Sequence, residues 1–331
     1  MAPRDTRQPG KQGEWYLGDA EKLREQLNEF LADVPDQIEG NDLPVPGARV
    51  IIAPHAGYTY SGATAAWAYK ALDLSKAKRV FILGPSHTFY LAGCAVTEYS
   101  NYGTPWGSLK VDQQVVSRLR DELDIPEIPN INDTKEHSLE MHLPYLWIRL
   151  EQTFGSPDKF PPVVPILVGD NNEAEEKEVG KWLAEYLRDP ENAFIVSSDF
   201  CHWGKYFDYT VYCPDGTLGS MQRLRPSGSA PDGPPIHESI KLVDDLAIEA
   251  IKTGRHSAFC DNLKQTKNTV CGRHPIGVTM AALEELGGQG EEEEEEEEEE
   301  HRFRFIQYQR SALVMGPGES SVSYVSAYAV V

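Results

Sequence analysis

The chain has 331 residues, enough to bury a substantial core, with 52 acidic against 31 basic side chains, a formal net charge of −21 and five cysteines. That balance argues against a nucleic-acid or anionic-membrane surface, which needs clustered Lys and Arg, and the odd, irregularly spaced cysteines do not make a disulfide framework. Met1 to Gly10 lacks the apolar segment of a secretory signal and no apolar run reaches membrane-spanning length, so a monomeric cytoplasmic protein without membrane insertion is expected, with the nucleus also open to it.

Residues 1–12 read as a disordered tail. Residues 20–32 place Leu23, Leu27, Phe30 and Leu31 on one helical face, and Val45-Pro46-Gly47 is turn chemistry leading into a buried strand. A helix over 60–72 and a second buried strand over 80–83 complete a strand-helix-strand crossover, the unit of a parallel or mixed sheet. Helical spacing recurs over 111–123 and 143–154, 163–168 is strand-like, 179–187 is amphipathic, and 193–196 continues the alternation. A helical stripe over 240–251 stops at Gly254, which suits a left-handed cap, and the period-two pattern of 321–330 predicts an antiparallel strand closing the sheet.

Two segments read as insertions within one domain spanning 13–331: the Gly/Pro/Ser-rich 214–235 and the Gly-rich, acidic 287–300. The second holds an unbroken decaglutamate, Glu291 to Glu300, without which the net charge is −11. Its favoured reading is a solvated, self-repelling loop; the alternative is a contact for a basic partner.

Four times an apolar, β-branched run ends in a short turn carrying a histidine or cysteine. The runs lead to Pro54-His55-Ala56-Gly57, to Gly84-Pro85-Ser86-His87, to Ser197-Ser198-Asp199-Phe200-Cys201-His202, and to Cys271-Gly272-Arg273-His274-Pro275. Loops at the carboxyl ends of parallel strands converge on one sheet edge, so these turns predict a single polar site. Cys271, just before a helix that Pro275 would open and beside Arg273, has its thiolate favoured by the helix dipole and by charge. It suits a metal ligand or a nucleophile, or else a small buried thiol.

Asp199 and His202 share a face if their turn is helical, so Asp199 would orient an imidazole acting as acid, base or ligand. In Glu136-His137-Ser138-Leu139-Glu140-Met141-His142, the groups His137, Glu140 and His142 suit a surrounding layer about a site or, equally, local capping. No Walker, dinucleotide, zinc-finger or His-Glu-x-x-His pattern is present, so no nucleotide cofactor is expected.

These five motifs, taken in chain order and with Leu143-Pro144-Tyr145 and Trp203-Gly204 extending two of them, closely resemble the Memo family, named for mediator of ErbB2-driven cell motility. The resemblance covers roughly 13–331. It implies one α/β/α domain with a central mixed, largely parallel sheet, like that of class III extradiol ring-cleavage dioxygenases, whose iron is held by two His and one Glu. By motif, His55 and His87 take the places of the two His ligands and Cys271 that of the third. Asp199 and His202 match neighbouring pocket residues, and Trp15 resembles an N-terminal aromatic near the pocket. The resemblance further implies an iron- or copper-binding redox role, and phosphotyrosine-peptide binding in signalling or motility through the same pocket. Lys205-Tyr206-Phe207-Asp208 lacks the Arg that follows the His-Trp-Gly turn in animal members.

A thiolate in place of a carboxylate suits Cu(I) and still accepts Fe(II) or Zn(II), and it is itself oxidisable. Three readings follow: a metal-dependent redox protein with His202 and Asp199 handling protons, a non-enzymatic adapter binding a peptide or protein in the pocket, and a metal-free Cys-His hydrolase.

Overall fold

The computed structural model describes residues 4–287 and 301–331. Its main sheet has eight strands. Seven follow one path: His202–Trp203, Ser321–Val330, Ala48–Ala53, Asn192–Ser197, Arg79–Pro85, Val163–Val168 and Cys94–Val96; Arg304–Arg310 pairs with Ser321–Val330 off that path. The four strands from Ala48–Ala53 to Val163–Val168 are mutually parallel, and antiparallel neighbours flank them. Ala48–Ala53, Val163–Val168 and Asn192–Ser197 are buried throughout, which is why their sequences are nearly continuous apolar runs rather than alternating ones.

Helices flank this sheet. Tyr58–Ala71 packs on Ala48–Ala53 and Ser321–Val330, while Arg273–Gly287 packs on Asn192–Ser197, on Arg79–Pro85 and against the Glu173–Leu187 helix. The α/β/α architecture is therefore the expected one. The 20–32 helix is Ala20–Asp33, started by Asp19, whose carboxylate accepts the N–H groups of Glu21 and Lys22 at 3.0 Å. Helix Leu143–Phe154 and strand Val163–Val168 have the expected limits, and Ser321–Val330 closes the sheet antiparallel to Ala48–Ala53.

Three segments differ from their sequence reading. The expected tail contains a strand, Arg4–Arg7, parallel to Tyr99–Thr104 in a separate three-stranded sheet. Polar composition hides the cause, which is one buried cation. The guanidinium of Arg7 donates to Asp133 Oδ1 and to the Asp133 carbonyl at 3.0 Å, to Glu140 Oε2 at 2.8 Å and to the Glu136 carbonyl at 2.8 Å. Residues 269–271 form no strand; Thr269 instead ties that stretch to its neighbour by exchanging hydrogen bonds with the His202 backbone. Within 214–235, Gln222–Arg223 pairs with Val211–Tyr212 beside a small second core that includes Trp203, Tyr212, Ile236 and Ile240. Residues 288–300, and the decaglutamate with them, lie outside the described residues. Among the described residues, no helix is long and apolar enough to cross a membrane.

Removing one partner of a buried ion pair leaves an uncompensated charge and costs about 3–5 kcal/mol. Arg7→Met is expected to lower the unfolding free energy by about that amount in urea titration. A loss below about 1 kcal/mol, the size of a surface pair, would contradict the anchoring role.

Candidate metal centre

Adjacent parallel strands carry three of the predicted turns to one edge of the sheet. His55 follows Ala48–Ala53, His87 follows Arg79–Pro85, and Asp199 follows Asn192–Ser197. Cys271 joins them because Gly272 lets its loop press onto the 197–198 backbone: a Cβ there would sit 2.3 Å from the Ser197 carbonyl oxygen. Together with His137 and His202 these residues line a cavity of about 920 Å³ whose aromatic surface includes Trp15, Tyr60, Phe207 and Tyr324.

The hydrogen-bond network fixes the imidazole tautomers. Ser197 Oγ donates its one proton to the Ser138 carbonyl at 2.7 Å, so at 2.6 Å it accepts from His55 Nδ1–H. His55 Nε2 is then an unprotonated lone pair facing Cys271 Sγ at 3.2 Å. His87 Nδ1–H donates to the Glu136 carboxylate at 3.0 Å, which frees its Nε2 likewise. Carboxylate or hydroxyl partners behind an imidazole are the usual supports of a metal-binding histidine.

Two donor groups meet at His55: His55, His87 and His137 form one, His55, Asp199 and Cys271 the other, each with its ligand atoms within 4.8 Å of one another. The trio His55, His87 and Cys271 expected from the sequence is thus spread over two groups that share His55. His137, which the sequence assigned to a surrounding layer, lies among the ligand atoms themselves. Its ring stacks on His87 at 4.3 Å between centroids, and Trp15 lies 4.3 Å from it. Trp15 is held there by its carbonyl, which accepts the Tyr58 N–H at 2.9 Å, and a Cβ on Gly57 would crowd that carbonyl at 3.3 Å.

Electrostatics keep the His55 and His137 imidazoles neutral. Burial lowers the pKa of His55 well below its ordinary value, helped by the neighbouring His87 and His137; burial and His87 push His137 down to about 3. Burial, and then Asp199, raise the Cys271 thiol well above its usual range. The sequence expectation of a helix-favoured thiolate is therefore reversed: the proton stays on sulfur, which lies 3.2 Å from His55 Nε2 and 3.5 Å from the Asp199 carbonyl, while the Asp199 N–H donates to the sulfur at 3.3 Å.

Other expectations change as well. His202 lies in an extended segment, and its Nδ1–H is held by the Phe200 and Thr269 carbonyls at 2.8 and 3.1 Å; Asp199 Oδ1 instead accepts the His55 N–H at 2.9 Å. Backbone carbonyls, not Asp199, orient the His202 ring. Glu140 is absent from the cavity wall. Its carboxylate accepts from Arg7, from the Gly10 and Lys11 N–H groups and from Tyr16 Oη, fastening the N-terminal segment. His142 is buried against Tyr69, whose hydroxyl lies 2.8 Å from its Nδ1, and burial alone lowers its pKa to about 3. Sequence reasoning also passed over Ser197 and Glu136 as supports; each stands in a quoted motif beside a strand end, which was the available signal.

A cavity walled by imidazole, thiol and carboxylate groups at the carboxyl edge of a mixed sheet places the chain among α/β proteins that gather candidate metal-ligand groups at one sheet edge. Residues 7–328 match the family model described as Memo-like protein, and the chain belongs to that family. It is 38% identical over 320 residues to Protein MEMO1 of Homo sapiens, covering 97% of this chain and 96% of that one. A MEMO1 family protein of Schizosaccharomyces pombe is 37% identical over 320 residues, covering 96% of each. Among solved structures, an uncharacterized protein from Escherichia coli K12 overlays at TM-score 0.45 and 14% identity, covering 85% of this chain and 98% of its own.

Burial would raise the Glu136 carboxyl, but hydrogen bonds from the His87 side chain and backbone, with the His87 and His137 rings beside it, bring it down from 4.5 to about 2. A depressed carboxyl stabilises the fold above its unfolded value and loses that contribution as pH falls through its folded one. The wild-type chain is expected to lose about 3 kcal/mol from this group as pH falls from about 4.5 to about 2, and Glu136→Gln to show a shallower acid limb by urea titration at each pH. Parallel curves for the two chains would contradict the assignment.

Proposed function

We propose that this pocket binds iron or copper, with zinc also compatible, and that the protein works in redox chemistry on O₂ or a reduced oxygen species. The observation that carries the reading is the paired presentation of Nε2 lone pairs on His55 and His87 by Ser197 and Glu136. The residues fit such an ion. His137 adds a third neutral imidazole, and Cys271 with Asp199 adds a soft and a hard donor beside His55. Bound iron or copper would supply one-electron chemistry with oxygen, which no side chain here offers.

The chain's own residues would prepare that site. Cys271 would give up its thiol proton, so binding is coupled to proton release and weakens as pH falls. His202, with Nδ1–H fixed on two carbonyls, keeps Nε2 free to take a proton from a substrate. Trp15, Tyr60, Phe207 and Tyr324 provide apolar surface wide enough for an aromatic co-substrate. A hydrolase is disfavoured, because a buried, protonated thiol beside a carboxylate is a poor nucleophile.

Metal analysis after anaerobic purification tests the reading. Wild type is expected to retain iron or copper in near-stoichiometric amount, and His87→Ala and Cys271→Ser to retain much less. Ser197→Ala, which releases the His55 ring, is expected to weaken binding about 10–100-fold. Oxygen uptake with and without catechols then separates turnover from storage or an adapter role. Wild type that binds no iron, copper or zinc tightly would overturn the proposal.

A further inference from the structure

A second cluster of metal-type donors lies at the meeting of three helices outside this cavity. Glu176 belongs to Glu173–Leu187, His256 and Cys260 to His256–Thr266, and His274 to Arg273–Gly287. His256 and Cys260 are four residues apart and share a helix face. Glu176 Oε2 lies 2.5 Å from His256 Nε2, and Cys260 Sγ lies 3.6 Å from that nitrogen and 3.9 Å from that oxygen. All three ligand atoms fall within 4.8 Å of one another.

We propose that Glu176, His256 and Cys260 form a zinc site that pins these three helices together. The argument is geometric. The carboxylate sits on Nε2, while Cys260 Sγ lies beside the ring, 3.6 Å from Nε2 and 4.0 Å from Nδ1, rather than in line with the far nitrogen as a thiol-imidazole-carboxylate relay requires. One oxygen, one nitrogen and one sulfur around a common point is a donor set for a borderline-soft tetrahedral cation. Bonds of about 2.0 Å to N and O and about 2.3 Å to S put tetrahedral ligand atoms about 3.3–3.6 Å apart. The sulfur stands 3.6 Å from the nitrogen and 3.9 Å from the oxygen, beside the ring, so Cys260 must turn toward Nε2 to join them. The shorter Glu176–His256 contact holds the proton an ion would displace, and it must open as the ion enters.

The surroundings are built for this carboxylate. Gly277 leaves it space, since a Cβ there would lie 2.4 Å from Glu176 Oε2. His274 Nδ1–H donates to the other oxygen, Oε1, at 2.7 Å, orienting the group from behind. A cavity of about 450 Å³, reached by Glu176, Cys260 and His274, gives solvent access for water as the fourth ligand.

Cobalt, a spectroscopic stand-in for zinc, provides the test, in full-length Cys271→Ser so that the first pocket carries no thiol. A thiolate-to-cobalt charge-transfer band is expected at about one equivalent, displaced by zinc, and absent when Cys260→Ser is added. His274→Ala is expected to weaken zinc about 10–100-fold as an outer partner. No thiolate band at saturating cobalt, or a band that survives Cys260→Ser, would overturn the proposal. If Cys271→Ser does not fold, the wild-type spectrum serves: it must lose thiolate intensity on Cys260→Ser alone, and an unchanged spectrum overturns the site. Neither outcome depends on whether iron or copper binds at His55.

Discussion

The pocket hangs from one buried turn, Glu136-His137-Ser138. Its carboxylate accepts the His87 N–H at 2.7 Å, His87 Nδ1–H at 3.0 Å, and the His137 and Ser138 N–H groups at 2.9 and 3.0 Å. Ser138 Oγ donates to the Pro85 carbonyl at 2.7 Å, and its own carbonyl accepts from Ser197, which in turn sets His55. One turn therefore links the ends of three parallel strands and determines which nitrogen of two histidines faces the cavity. A carboxylate with four donors can stay ionised when buried, and that charge is what holds the His87 proton on Nδ1, on the far side of the ring from its free nitrogen.

The same economy explains the N-terminal segment. Arg7 is buried between Asp133 and Glu140, on either side of that turn in sequence, so the strand it belongs to braces the turn from outside. Glu140 continues the fastening through Gly10, Lys11 and Tyr16, and this brings Trp15 against His137. Packing at the pocket wall thus depends on ion pairs that touch no pocket residue. Desolvation then does the chemistry's groundwork: burial keeps His55 and His137 neutral, and neutral imidazole is the form that binds metal.

The parallel core and the convergence of His55, His87 and Asp199 were legible because continuous apolar runs and abrupt strand-end turns are local signals. Glu140 was misread because its four donors come from the first sixteen residues, distant in sequence, and nothing local reveals them. The tail was misread for the matching reason, since a buried Arg looks like any other polar residue until its carboxylates are placed. The Asp199–His202 pairing failed on a helical assumption that the extended His202–Trp203 segment removes. Ser197 carried no signal of charge, yet it sets the His55 tautomer. Cys271 was legible as a ligand type but not in its protonation, which depends on burial and on Asp199 arriving from another loop.

The central proposal is that one redox metal sits on His55 and His87, with Cys271 beside His55 as its sulfur donor. X-ray absorption at the iron or copper edge tests it most directly, on anaerobically loaded Cys260→Ser protein so that the pocket supplies the thiol concerned. The account predicts a mixed nitrogen and sulfur shell whose sulfur contribution disappears when Cys271→Ser is added. An oxygen-only shell, or a sulfur contribution that outlasts Cys271, would contradict it.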